Sequence, residues 1–145
     1  NILRIIATNA QNLQTDKESL FLLNVKAIPA KSTEQSSQNV LQIALKTTIK
    51  LFYRPAGLQG SLQETVEKLQ WRAEGGHLTV HNPSGFNVVV SDLLINNKAS
   101  QGMPEVIKPG DTVTTAIPLK NSDKLELTYI NEYGSTVKAA PITVH

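Results

Sequence analysis

His77 and His81 are the first side chains whose type and spacing could support chemistry, because imidazole nitrogens are common zinc ligands. A spacing of four residues would place both rings on one face of a helix, but the residues around them have the apolar pattern of a strand. Along a strand, four residues span about 13 Å, which is too far for two ligands of one ion. We therefore predict no metal site in this protein.

The sequence lacks the common signatures of catalysis and nucleotide binding. It contains no Gly-x-Ser-x-Gly, no phosphate-binding loop and no Gly-x-Gly-x-x-Gly. With 0 cysteines it has no thiol nucleophile, no disulfide and no thiolate metal site. We predict no catalytic residues, no cofactor and no enzyme activity.

The charge and the hydropathy of the chain exclude two further classes of partner. Its 145 residues include 14 Lys and Arg against 12 Asp and Glu, which gives a formal net charge of +2. So small an excess does not indicate a nucleic-acid partner. Since no apolar run reaches the roughly 18 to 20 residues that cross a bilayer, we also predict no direct membrane insertion.

Short apolar and β-branched runs, separated by turn residues, predict an all-β fold. The predicted strands cover residues 2–7, 19–28, 40–53, 69–73, 77–81, 87–95, 106–108, 112–119, 124–131 and 136–144. Ser61 followed by Glu64 matches a capping box, which indicates either a helical turn or two or an irregular loop. The seven short strands after Pro55 fit an immunoglobulin-like sandwich.

The segment Arg54-Pro55-Ala56-Gly57 predicts a domain boundary, because proline ends a strand ladder and glycine permits a turn. We therefore divide the chain into a first domain of residues 1–55 and a second of residues 56–145. Three strands cannot form two packed sheets. The first domain is thus incomplete by itself, and something else must complete it.

The predicted strand 40–53 is unusually long, at about 46 Å for fourteen residues. Leu41, Ile43 and Leu45 lie on one face by parity, in a row that continues along the strand. Such a strand is either a central core strand or a strand that overhangs the domain and is added to a partner's sheet. An exposed strand of this kind would also allow self-association.

Several segments resemble the signatures of the PapD-like periplasmic pilus (fimbrial) chaperones. In the first domain they are residues 18–29, 41–45 and 49–55, which include Lys-Leu-Phe-Tyr-Arg-Pro. In the second they are Asn82-Pro83 followed by Phe86, and residues 129–134. The resemblance covers nearly the whole chain, and the short connection 30–39 is similar to that of the short-loop branch.

The resemblance implies two immunoglobulin-like β-sandwich domains set in an L-shape, with a cleft between them. Members of the family act in the periplasm, where they capture pilus subunits whose sandwich lacks a strand. They lend the missing strand, which is donor-strand complementation, and deliver the subunit to an outer-membrane usher. The implied partners are therefore pilus subunits and the usher, and the implied location is the periplasm.

The resemblance also implies roles for residues of the first domain. By matching position, Leu41, Ile43 and Leu45 would be the donor-strand side chains that enter the subunit groove. Lys50 would anchor the C-terminal carboxylate of the subunit through a charge-assisted bond.

Three charged residues match the interdomain ionic network of the family, namely Glu18, Arg54 and Glu132. A guanidinium can bridge two carboxylates, which suits Arg54 to the centre of the network. Relatives usually carry Asp at the third position, so Glu132 is a departure from the pattern. The alternative is three unrelated surface charges.

The resemblance further implies that the chain begins partway through the first domain, without the N-terminal region in which the family carries an anchoring Arg. We therefore expect this polypeptide alone to be a poor chaperone. The competing hypothesis is a structural or adhesive immunoglobulin-like surface module without chaperone activity. In that case the long strand would be an ordinary core strand.

Overall fold

The computed structural model describes residues 2–30 and 41–145. The chain divides into two compact units, which we name by their architecture. The hairpin unit is Ser19–Tyr53, and the sandwich unit is Asn1–Glu18 together with Arg54–His145. Apart from one short helix and a 3-10 turn, the regular structure of the described residues is β-strand, which confirms the predicted all-β fold.

The described part of the hairpin unit contains two antiparallel strands, β1 (Ser19–Ala27) and β2 (Leu45–Tyr53). Their register runs from Ser19 opposite Tyr53 to Ala27 opposite Leu45. The strands end there because Pro29 follows β1 closely and has no N–H to continue the ladder.

The sandwich unit begins with a 3-10 turn at Ala10–Asn12. Its other elements are α1 (Leu62–Lys68), β3 (Gln70–Glu74), β4 (His77–His81), β5 (Val88–Ile95), β6 (Lys98–Ala99), β7 (Val106–Ile107), β8 (Thr112–Pro118), β9 (Lys124–Ile130), β10 (Thr136–Lys138) and β11 (Ile142–Thr143). One sheet has the order β10-β9-β5-β6, with β11 also paired to β9 and β7 to β5; the other has the order β3-β4-β8.

The two sheets of the sandwich unit share one hydrophobic core. Strand β9 shows the pattern that builds it, because Leu125, Leu127 and Tyr129 are buried while the residues between them are not. The β3-β4-β8 sheet contributes Trp71, Leu78, Val80 and Ile117, and the other sheet adds Val88, Leu93 and Ile107. Leu62 and Val66 of α1 pack into the same core.

The helix confirms one of the two interpretations of the capping box. The Ser61 hydroxyl accepts a hydrogen bond from the Glu64 backbone N–H at 3.2 Å, which satisfies a donor at the start of α1. No helix in residues 2–30 and 41–145 is long and apolar enough to span a membrane.

Three strand predictions are wrong by more than one residue at an end. Residues 2–7 pair with no strand among the described residues, and an apolar run without a ladder partner is not a strand. Strand β2 begins at Leu45, so residues 41–44 lie outside it, while Val40 is outside the described residues. The strand predicted over 136–144 is two short strands, separated where Pro141 interrupts pairing.

Candidate functional site

The hairpin unit carries an apolar face formed by side chains that share one parity. Because paired residues in an antiparallel ladder project to the same side, the register brings the odd-numbered residues of both strands together. We call this the apolar face, and its members are Phe21, Leu23, Val25, Leu45, Ile49 and Leu51. Four of them, Phe21, Val25, Leu45 and Ile49, are exposed.

The predicted donor-strand residues have the same odd parity in the sequence as the apolar face, and two of them lie before the first paired residue of β2. Leu45 is the first residue of β2 and is 68% exposed. Leu41 and Ile43 precede β2 and are 84% and 63% exposed. Exposed clusters of large apolar side chains are typical of interaction sites. Their role in binding stays a prediction.

The opposite side of the hairpin is polar and basic over most of its length. We call it the lysine face, and it consists of Asn24, Lys26, Lys46, Thr48 and Lys50. The Thr48 hydroxyl donates to Asn24 Oδ1 at 2.6 Å across the two strands. Lys50 is partly buried and lies opposite Leu22. Its anchoring role stays a prediction.

The three predicted network residues are in contact within the sandwich unit. Arg54 Nε donates to Glu18 Oε2 at 2.9 Å, and Arg54 Nη1 lies 2.7 Å from Glu132 Oε1. Glu18 is the residue before β1 and Arg54 is the residue after β2, so the pairing of Ser19 with Tyr53 makes them neighbours. The structure thus forms the ion pairs, while their interdomain role stays a prediction.

A hydrogen-bonded turn holds the third member of the network. After β9, Asn131 Oδ1 accepts hydrogen bonds from the backbone N–H groups of Tyr133 and Ser135, each at 3.0 Å. Gly134 in this turn has a φ of 80°, a left-handed conformation that glycine adopts without strain. The turn fixes the backbone from which Glu132 reaches Arg54.

Glu18 is the most buried member of the network. Its side chain is 3% exposed, against 41% for Arg54 and 43% for Glu132. A buried carboxylate is costly unless it accepts hydrogen bonds. Besides the bond from Arg54, its Oε1 accepts one from the Asn87 backbone N–H at 2.6 Å, and the Glu18 N–H donates to the Gly85 carbonyl at 2.8 Å.

Arg54 also contacts an aromatic ring that the sequence did not suggest as a partner. Its guanidinium carbon lies 4.8 Å from the centroid of the buried Phe86 ring, within the range of a cation–π contact. Burial disfavours the charged guanidinium, but hydrogen bonds to Glu132 and Glu18 and their negative charges outweigh it and raise the pKa of Arg54. The group therefore stays charged in any ordinary buffer.

The Asn82-Pro83 motif proves to be a structural turn that presents the backbone of Gly85 and Asn87 to Glu18. Asn82 is fully buried, and its amide donates to the carbonyls of Phe86 at 2.7 Å and Ile107 at 3.2 Å. Its Oδ1 accepts from the Ser84 N–H at 3.0 Å. The motif itself was visible in the sequence, but the use of its backbone by Glu18 was not.

The described residues do not form a metal-binding group. Residues 2–30 and 41–145 contain no group of three or more His, Cys, Asp or Glu side chains that could hold a metal ion. His77 and His81 lie at the two ends of β4, and His81 Nδ1 is 2.9 Å from the Thr112 hydroxyl.

Two domain families match consecutive parts of the chain. The N-terminal domain of the PapD pili and flagellar-assembly chaperones matches residues 1–59, and the C-terminal domain of the pili assembly chaperone PapD matches residues 64–140. This order of domains defines a class of two-domain all-β assembly chaperones. The chain belongs to the PapD-like pili assembly chaperone family, which confirms the resemblance.

Individual relatives agree with this assignment. The probable fimbrial chaperone LpfB of Escherichia coli O157:H7 is 39% identical over 136 residues, which are 93% of this chain and 58% of LpfB. The crystal structure of the YadV chaperone matches with a TM-score of 0.71 and 31% identity, over 93% of this chain and 67% of that one. This chain thus spans less than two thirds of the length of LpfB.

A more distant structure shares the fold. The Salmonella enterica SafA pilin in complex with the SafB chaperone gives a TM-score of 0.74 at 23% identity. The match covers 91% of this chain and 62% of the matched chain.

Proposed function

We propose that this chain forms part of a periplasmic, non-enzymatic chaperone for pilus subunits, which acts by donor-strand complementation and delivers its subunit to an outer-membrane usher. The observation that carries the proposal is the exposure of Leu41, Ile43 and Leu45, which have the same odd parity in the sequence as the apolar face. Family membership and a solved pilin–chaperone complex of the same fold support it.

The backbone of β2 suits strand addition. Among the described strands, β2 pairs only with β1, so the other edge of its ladder is open. An extended partner segment that pairs along such an edge gains backbone hydrogen bonds, and alternate side chains then supply specificity. In the proposed complex, the row from Leu41 to Leu45 fills the apolar groove of a subunit that lacks one strand.

Lys50 supplies the second element of the proposal. Its ammonium group would receive the C-terminal carboxylate of the bound subunit, and a charge-assisted contact at one fixed point sets the register of the added strand. The ion pairs of Arg54 with Glu18 and Glu132 would then serve as the interdomain network. This network would hold the start of β1 and the end of β2 together.

A peptide-binding measurement tests strand donation. We expect an extended peptide with alternating apolar residues and a free C-terminal carboxylate to bind the intact protein in isothermal titration calorimetry. Ile43→Asp should weaken binding at least tenfold, because it places a charge in the apolar row. Ala44→Asp is the matched control, since it adds the same charge to the opposite parity and should have a much smaller effect.

The anchor is tested separately by amidating the peptide. The intact protein should bind the free carboxylate more tightly than the amide, and Lys50→Ala should remove that difference, whereas Lys138→Ala on β10 should not. Loss of binding in Ile43→Asp with no change in Lys50→Ala would refute the anchor but leave strand donation standing. A protein that binds neither peptide would instead fit an adhesive or structural module.

A further inference from the structure

The lysine face contains a pair of like charges in direct opposition. The register places Lys26 opposite Lys46, and both side chains are exposed. Like charges directly opposite each other destabilise an antiparallel pair. The arrangement therefore costs the free hairpin stability unless an anion lies beside it.

The hairpin itself does not supply a counter-charge in its described part. Residues 19–30 and 41–53 contain no Asp or Glu, and neither Lys26 nor Lys46 forms an ion pair with a described residue. The connecting residues 31–40 add one Lys and one Glu, so residues 19–53 keep a formal charge of +3. A partner that meets this side of the hairpin gains from a negative charge.

The spacing of the lysines defines where that charge must lie. Lys46 and Lys50 project to the same side of β2 and are four residues apart, which is about 13 Å along the strand. A segment that ends at Lys50 and covers the row from Leu41 to Leu45 must run parallel to β2. The side chain four residues before its C-terminus then comes level with Lys46 and on the same face.

We propose that Lys46, with Lys26 beside it, is a specificity-determining residue that selects partner segments with an Asp or Glu four residues before a free C-terminal carboxylate. The inference rests on the proposed strand donation and adds the chemical class of the preferred partner. It also gives the opposed lysines a function, because a carboxylate beside Lys46 offsets the repulsion between Lys46 and Lys26.

Three peptides test the proposal on the intact protein. They share one alternating apolar sequence with a free carboxylate and differ in carrying Glu four residues before the terminal residue, Gln at that position, or Glu five residues before it. At low ionic strength the first should bind about three- to tenfold more tightly than the second. The third should lose this gain, because a shift by one residue moves the side chain to the other face.

Variants of the protein assign the effect to Lys46. Lys46→Gln should abolish the preference for Glu over Gln, while Lys138→Gln, an exposed lysine of the other unit, should keep it. Lys46→Glu should reverse the preference in favour of a peptide with Lys at the same position. Because removal of one opposed lysine relieves repulsion, an unfolding measurement on Lys46→Gln should show no loss of stability.

The outcomes separate this inference from the proposed function. If all three peptides bind equally to the unmodified protein, strand donation stands and the inference is overturned. A preference that survives in Lys46→Gln overturns it as well. If none of the peptides binds, the proposed function fails and the inference fails with it.

Discussion

Burial makes the ion pair at Glu18 more important than an equally short pair elsewhere in the protein. The bond from Arg54 to Glu18 is 2.9 Å and the pair of Lys124 with Glu126 is 2.8 Å. The side chains of Lys124 and Glu126 are 46% and 31% exposed, and ion pairs at the surface contribute about 0 to 1 kcal/mol to the free energy of unfolding. Glu18 and Asn87 are both buried, so an Asn87 N–H that loses the Glu18 carboxylate cannot turn to water instead.

We therefore expect Glu18→Gln to lower the free energy of unfolding by about 1 to 3 kcal/mol, since Arg54 and the Asn87 N–H lose their carboxylate acceptor. Glu126→Gln, the matched control, should lower it by less than about 1 kcal/mol. Urea unfolding followed by tryptophan fluorescence at Trp71 measures both. Equal effects of the two substitutions would contradict the role given to burial.

The amide of Asn82 offers a second prediction at the scale of one residue. Asn82→Ala leaves the buried carbonyls of Phe86 and Ile107 without their side-chain donor, at a cost of about 1 to 3 kcal/mol. Asn121→Ala, at an exposed position, should change stability by no more than about 0.5 kcal/mol. If Asn82→Ala unfolds at the same urea concentration as the parent protein, the turn does not depend on this amide.

Among the secondary-structure elements, the turn between β4 and β5 depends on a residue without a side chain. A Cβ added at Gly85 would lie 2.6 Å from Leu58 Cδ1 and 2.7 Å from the Asp16 carbonyl oxygen. The leucine can rotate away, but the backbone of Asp16 can move only with the segment that leads to Glu18. Close packing in this place is therefore what requires glycine.

Gly85→Ala should destabilise the sandwich unit by about 1 to 3 kcal/mol, because the added methyl group forces the Asp16 backbone away. Gly57→Ala is the control, since a Cβ there meets nothing within 4 Å. It should be neutral or stabilise slightly through a less flexible unfolded chain. The melting temperatures of the two variants measure this difference. Equal shifts would contradict the predicted steric clash at Gly85.

The strand β2 shows how an element boundary depends on its partner. The alternating sequence from Leu41 onward predicts a strand over 40–53, and the side-chain pattern is present throughout. The ladder nevertheless begins at Leu45, because β1 ends at Ala27 just before Ile28-Pro29. In the proposed complex, residues 41–44 become part of a ladder only when a subunit supplies the partner strand.

At the scale of the whole molecule, the two units differ in how far their own residues are buried. The sandwich unit has a continuous core, whereas most residues of β1 and β2 are exposed, and a two-stranded hairpin is at best marginally stable alone. We expect the backbone amides of β1 and β2 to exchange hydrogen much faster than those of β5 and β9.

Hydrogen exchange with mass spectrometry on the 145-residue chain measures this difference. Addition of the binding peptide should slow exchange in β2 and leave β9 unchanged. Equal protection of the two units in the free chain would contradict the prediction, because it would mean that the apolar face is covered in solution.

Much of the architecture was predictable because it depends on local patterns. Alternation in residues 124–131 predicted β9, and the capping pair of Ser61 and Glu64 indicated α1. Three charged positions could be grouped as a network only through the family resemblance, since Glu18 and Glu132 are far apart in the chain. The contact of Arg54 with Phe86 had no sequence signal of its own, because the residue type of a core phenylalanine does not indicate which side chain packs on its ring.

The amino-acid sequence alone determined the all-β class and the family, because side-chain parity and motif spacing are properties of the chain itself. The roles of the apolar row and of Lys50 stay predictions that rest on the family resemblance. Tertiary structure decided where β2 begins, that Glu18 is buried against the Asn87 N–H, and that Lys26 opposes Lys46. Each of these depends on which distant segment becomes a neighbour. Register and burial arise only when the chain folds, and no local pattern encodes them.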